Sequence, residues 1–158
     1  MTIFILRHGQ AETQITTDEV RKLTDKGRSD TDKVVQARVA DMASVSAIWA
    51  SPLVRAQQTA TIAASYFPHL SIQTTDLLIP EANPQALMEW LETINAEQLQ
   101  APSKSILLVS HQPLVGLLVN KLCNKPNDYY PMGTSSLAAI QAPVIAVGMG
   151  DLLWLDHA

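Results

Sequence analysis

Residues 46–67 read SAIWASPLVRAQQTATIAASYF. The first five, Ser46 to Ala50, form a short apolar run of strand length. Ser51 and Pro52 have the chemistry of a helix N-cap and a first helical residue. Beyond them Leu53, Ala56, Ala60, Ala63, Ala64 and Phe67 fall on one helical face. A strand that feeds directly into an amphipathic helix is the repeating unit of an α/β fold.

The same unit recurs on both sides. Upstream, Thr2 to Leu6 is a continuous apolar run, and between Asp30 and Met42 the positions Val34, Val35, Val39 and Met42 recur at helical spacing. Downstream, Leu70 to Thr75 is a third strand. Asn83-Pro84 opens a helix with the stripe Leu87, Met88, Leu91 and Ile94. Ser105 to Val109 is a fourth strand, aliphatic enough to be covered on both faces. Pro113 opens a helix that runs to about Cys123. Residues 124–134 hold two Pro, one Gly and two Tyr and read as a long loop. Ser136 to Leu155 reads as two or three strands broken by Pro143, Gly148 and Gly150, adding antiparallel edges. The pattern predicts one α/β domain over residues 1–158, with three layers and a mostly parallel central sheet between helices.

Composition agrees with one folded domain. The chain has 158 residues, 47% hydrophobic and 16% charged, a balance that excludes disorder. At this length roughly 70% of the unfolded surface can be buried, so neither a metal nor a disulfide is needed to hold a core. The net charge of −4 and the absence of any Lys/Arg run exclude a nucleic-acid module. Apolar stretches such as Ile106 to Val109 fall far short of the ~20 residues of a membrane span. Arg7 follows the first apolar run with no basic lead or cleavage site, so no secretory signal is visible. The single cysteine, Cys123, permits a reducing compartment, and a cytoplasmic location is expected.

Three polar clusters occupy equivalent places. Arg7-His8-Gly9 follows the first strand, Ser51-Pro52 with Arg55 follows the second, and Ser110-His111 follows the fourth. Open α/β sheets bind ligands outside the carboxyl ends of their strands. Two guanidiniums and two imidazoles gathered there, near helix N-termini, describe an oxyanion site, above all one for phosphate. Arg55 stands in the first turn of its helix, where a cation opposes the helix dipole, and a bound anion accounts for it. Gly9 points to a backbone turn or a close approach to the anion.

These motifs resemble those of the histidine phosphatase superfamily. Leu6-Arg7-His8-Gly9 matches its nucleophile motif. Leu23-Thr24 with Gly27, the run Ser51-Pro52-Leu53-Val54-Arg55-Ala56-Gln57-Gln58-Thr59, and Ser110-His111 with Pro113-Leu114 match its further elements in order. The small size, the Asp18/Arg21/Leu23-Thr24 stretch and Ser110 to Gly116 are similar to the short phosphohistidine phosphatase branch, the SixA type. The resemblance implies a phosphoglycerate mutase-like fold. It implies His8 as nucleophile, forming a phosphohistidine intermediate, with Arg7, Arg55 and His111 binding the phosphoryl group. Glu81 stands where the superfamily commonly has a catalytic carboxylate and is a candidate general acid; helix-dipole chemistry explains an acid at that place equally well. No cofactor and no metal are expected, because the arginines occupy the electrostatic role of a Mg²⁺.

The partner implied by the resemblance is a phosphohistidine-bearing protein, such as a histidine phosphotransfer domain in a signalling relay, with no nucleic acid and no membrane involved. A metal-independent phosphomonoesterase for a small metabolite is the alternative. A phosphate-dependent binding module explains less, since binding needs no nucleophile. Ser51, Ser110 and Thr24 read as caps or loop ties. Thr134 and Ser135 are second-rank candidates for a phosphate contact. His69 and His157 lie outside every motif and read as surface residues. Cys123 reads as a buried structural thiol, because Tyr129 stands where a cysteine-phosphatase loop needs its Arg. With few residues between Glu81 and His111 available to cover the site, a shallow, open pocket is expected.

Overall fold

The computed structural model describes residues 1–97 and 104–158. Its elements follow in the order β1 (Thr2–Arg7), α1 (Asp25–Arg38), β2 (Val45–Ala50), α2 (Val54–Ala64), β3 (Ile72–Thr74), α3 (Pro84–Glu97), β4 (Ser105–Ser110), α4 (Leu114–Leu122), β5 (Leu137–Gln141) and β6 (Asp151–Asp156). Among the described residues six strands form one sheet, in the order β3-β2-β4-β1-β5-β6. β1, β2, β3 and β4 are mutually parallel, while β5 runs antiparallel to β1, and β6 antiparallel to β5.

The period of two along the central strands explains the three layers. Ile3, Ile5, Ile106 and Leu108 join the apolar stripes of α3 and α4 in one buried cluster. Phe4, Leu6, Leu107 and Val109 join α1 and α2 in another. β4 is buried at all six positions, as its unbroken aliphatic run requires. Burying each such side chain contributes about 1.5–3 kcal/mol, so these two clusters dominate the folding energy. α2 presents Ala56, Ala60 and Ala63 to the sheet, and side chains this small let the helix lie close to it.

The expected elements are present, and their ends differ in instructive ways. α1 begins at Asp25, capped by Thr24 as its residue type suggests: the Thr24 side chain accepts from the Gly27 N–H, and the apolar spacing from Asp30 marks the later part of the helix. α2 begins at Val54, with Leu53 at the N-cap position, so Ser51-Pro52 is a loop and not the helix start. Pro113 likewise sits at the N-cap position of α4, after a cis Gln112–Pro113 bond. β3 is only three residues long, at the sheet edge. The C-terminal region forms two strands, and β5 lies inside the sheet with β6 as the edge.

Candidate active site

The candidate site residues are placed by strand register. β1 and β4 are parallel neighbours with Arg7 opposite Ser110, so His8 and His111 leave the sheet side by side. The His8 backbone N–H donates to the Ser110 carbonyl at 3.0 Å, and the two imidazole centroids stand 5.0 Å apart. Ala50 at the end of β2 is opposite Val109, which brings Ser51 level with them. Loops past three carboxyl ends thus meet at one point, as the topology of an open α/β sheet dictates.

Hydrogen bonding assigns the tautomer of His8. Its Nδ1 lies 2.7 Å from the Gly9 carbonyl oxygen. A carbonyl only accepts, so Nδ1 carries the proton and Nε2 holds a free lone pair. Arg55 Nε donates to that lone pair at 3.4 Å. Burial, followed by the charges of Arg55 and Arg7, pulls the His8 pKa down to about 4, against the opposing bond to Gly9. The ring is therefore neutral at pH 7, the state in which imidazole is a nucleophile.

His111 is the second neutral ring. Its Nε2 is 2.7 Å from Ser51 Oγ, which also accepts from the Leu53 N–H. The hydroxyl can give its hydrogen to Nε2 while accepting from Leu53, and in that tautomer the ring proton resides on Nδ1. Burial, with His8 and Arg55 nearby, brings the His111 pKa to about 3. His111 Nδ1 is buried and has no hydrogen-bond partner among the described residues, and the same holds for Arg7 Nε. Buried polar atoms are generally paired with protein, water or ligand, so both atoms are open to a group that enters the site.

The two arginines differ in how they are held. Arg7 reaches the Met132 carbonyl through NH1 at 2.9 Å, and burial together with Arg55 lowers its pKa. Arg55 is 4% exposed and clamped by the one-turn helix at Asp18–Val20. Its NH1 donates to the Asp18 carbonyl at 2.8 Å and its NH2 to Asp18 Oδ2 at 3.0 Å. Arg21 NH1 donates to the other carboxylate oxygen at 3.0 Å. With His8 at 7% exposure and His111 at 1%, the two imidazoles are more deeply set than a shallow pocket implies.

A polar frame holds these groups. The Gly9 N–H donates to Thr59 Oγ1 at 3.1 Å, and that hydroxyl donates to the Arg55 carbonyl. Gln58 Oε1 accepts from the Leu23 N–H at 2.8 Å, tying α2 to the segment that leads into α1. Gly9 serves a close approach, but to α1: a Cβ there would stand 2.6 Å from the Gly27 carbonyl oxygen. Ser135 donates its backbone N–H to the His8 carbonyl, and its hydroxyl is paired with Thr31. Ser135 thereby ties the loop that carries His8 to α1. Ser110 Oγ donates to the Leu78 carbonyl at 2.6 Å.

Arg7, His8, Arg55 and His111 are thus brought together. Glu81 is exposed, three residues past Leu78, on a segment that Ser110 pins beside His111. His69 and His157 are exposed, and Cys123 is half-buried, its thiol pushed up by burial. Two participants had no role in the sequence reading. Asp18 was legible only as part of a motif, and Ser51 only as a cap. Each bonds to a residue distant in the chain, and no local pattern encodes such a partner.

The order of motifs, the crossed-over parallel sheet and the paired imidazoles flanked by arginines define one class. A sequence model of the histidine phosphatase superfamily (branch 1) matches residues 3–80. The chain belongs to this superfamily, in its SixA-type branch, and has its phosphoglycerate mutase-like fold. It is similar to the phosphohistidine phosphatase SixA of Escherichia coli (strain K12), 30% identical over 143 residues, covering 88% of this chain and 83% of that one. A SixA homolog of Haemophilus influenzae is 31% identical, covering 87% of both chains. A solved structure of the protein histidine phosphatase SixA complexed with tungstate superimposes with a TM-score of 0.82 at 28% identity, over 98% of this chain and 96% of that chain.

Proposed function

We propose that this chain is a phosphohistidine phosphatase that removes the phosphoryl group from a histidine of a signalling protein, acting in the cytoplasm. One observation carries the reading: His8 presents an unprotonated Nε2 beside the Arg55 guanidinium, with its proton fixed on Nδ1 by Gly9. In the first step Nε2 attacks phosphorus, the bond from phosphorus to the substrate imidazole breaks, and the electron pair returns to the leaving nitrogen. Water then attacks the phosphoryl group on His8, releasing phosphate and restoring the neutral ring. Transition states of this kind are loose, so placement and charge stabilisation supply most of the catalysis.

Arg7, Arg55 and His111 hold the phosphoryl oxygens. The buried, unpartnered Arg7 Nε and His111 Nδ1 are two donors that a tetrahedral oxyanion satisfies. The arriving phosphoryl group also takes the Arg55 Nε–H away from His8 Nε2, freeing the lone pair as it is needed. Tungstate, the ligand of the similar SixA structure, is an oxyanion of the same shape. Glu81 is the candidate general acid for leaving groups that require a proton and, once ionised, the base that takes a proton from the attacking water.

The test compares a phosphorylated histidine phosphotransfer domain with a small phosphate ester, using wild type, His8→Ala and Glu81→Gln. The proposal expects rapid loss of phosphohistidine, slow ester turnover, and both abolished in His8→Ala. Efficient ester turnover with poor action on phosphohistidine establishes the metabolite phosphomonoesterase instead. Glu81→Gln is expected to slow the ester much more than phosphohistidine; equal small losses on both remove the acid role.

A further inference from the structure

We propose that Asp18 is a specificity-determining residue, whose carboxylate accepts the N–H of the leaving imidazole when the substrate is phosphohistidine. This inference rests on the proposed function and refines it. A single guanidinium, that of Arg55, bonds His8 Nε2 through Nε and Asp18 through NH1 and NH2. The carboxylate is therefore one guanidinium away from the attacking nitrogen. Its side chain is 38% exposed while that of Arg55 is 5% exposed, so Asp18 is the solvent-facing partner of the pair.

The chemistry follows from proton count. A phosphohistidine is a good electrophile when its distal ring nitrogen is protonated. Breaking the phosphorus–nitrogen bond then returns the electron pair to the leaving nitrogen and yields neutral imidazole, with the proton still on the distal nitrogen. No acid has to deliver a proton; an acceptor that keeps the distal N–H in place is enough. Asp18 has the capacity for that bond. An ionised carboxylate offers about four lone-pair sites, and Arg21 and Arg55 each engage one oxygen once.

The same carboxylate is a poor helper for esters. Hydrogen bonds from Arg21 and Arg55 hold its pKa below the ordinary carboxylate value, so it has no proton to give an alkoxide. The charged and titratable groups around it are Arg21 on its own turn and Arg55 from α2, with His8 and His111 beyond. Both histidines stay neutral over the working pH range. An acceptor facing an imidazolium and a donor set facing the phosphoryl group together select a phosphoramidate.

The experiment measures pH–rate profiles of wild type, Asp18→Asn and Asp18→Glu on a phosphohistidine peptide and on p-nitrophenyl phosphate, whose leaving group needs no proton. Asparagine keeps one acceptor oxygen for Arg55, while it removes the charge and the second oxygen that Arg21 engages. The expected result for Asp18→Asn on the peptide is an alkaline limb moved down by about one pH unit or more, the size of a lost carboxylate–imidazolium interaction. At pH 8 this becomes a roughly tenfold loss on the peptide beyond any loss on the ester. Asp18→Glu is expected to keep the limb. Equal losses on both substrates with an unmoved limb overturn the inference and leave Asp18 as a support for Arg55. A wild-type enzyme that turns over the ester and not the peptide instead defeats the underlying functional reading, before any variant is compared.

Discussion

His8 shows how much one residue depends on its setting. An isolated imidazole is part-protonated near pH 6.5; here burial and two guanidiniums bring the ring to about 4. The ring nitrogens observed by NMR should therefore report a neutral, Nδ1-protonated His8 at pH 5.5, and a midpoint near 6.5 contradicts this. His111 depends on Ser51 in a similar way. Ser51→Ala removes the partner that Nε2 has among the described residues and leaves the ring free to take the other tautomer. A loss of about tenfold to a hundredfold in kcat, with the fold intact by circular dichroism, is the expected outcome; full activity would mean His111 needs no such orientation. Arg7, His8, Arg55 and His111 were legible in the sequence because each sits in a motif just past a strand. Ser51 and Asp18 were not, because their partners His111 and Arg55 lie 60 and 37 residues away.

At the scale of elements, the site is built by close backbone crossings as much as by side chains. Gly27 in the first turn of α1 faces the loop after β1, and a Cβ there would stand 2.2 Å from the Gln10 carbonyl oxygen. Neither partner is a flexible side-chain tip, so the backbone must move. Gly27→Ala should destabilise the fold by about 1–3 kcal/mol in urea unfolding and displace the loop that carries His8. Unchanged stability would show that the crossing has room to relax. The strand–helix alternation was legible from periodicity, and the helix stripes fell where α1 to α4 pack. Two helix starts were legible as well, at the Thr24 cap of α1 and at Pro84 of α3, whereas that of α2 was not. Ser51-Pro52 has the chemistry of a cap, yet the Ser51 hydroxyl is engaged by His111 and α2 starts at Val54. Tertiary hydrogen bonding outweighs local preference at that point, where the chain serves the site.

For the whole molecule, the two buried neutral histidines couple stability to pH. Their folded pKa values, about 4 and about 3, lie below the unfolded value near 6.5. Between those limits the unfolded chain binds more protons, so stability rises with pH. The contribution is fully present above about pH 6.5 and is lost progressively as pH falls through about 4 toward 3. A decline on the order of a few kcal/mol is expected in urea midpoints over that window. A double variant, His8→Gln with His111→Gln, should flatten the slope; an equally steep variant assigns the acid sensitivity elsewhere. The parallel β1–β4 pair is what unites the two rings, and its register was beyond the reach of the sequence pattern, which placed both histidines after strands without saying which strands are neighbours. The central claim, that His8 Nε2 takes up the phosphoryl group, is tested most directly by mixing enzyme with a phosphohistidine-bearing protein, quenching in alkali within one turnover, and mapping the label by mass spectrometry. One phosphoryl group on His8 is expected in wild type and none in His8→Ala. Turnover by wild type with no phosphorylated His8, or sustained turnover by His8→Ala, would contradict it.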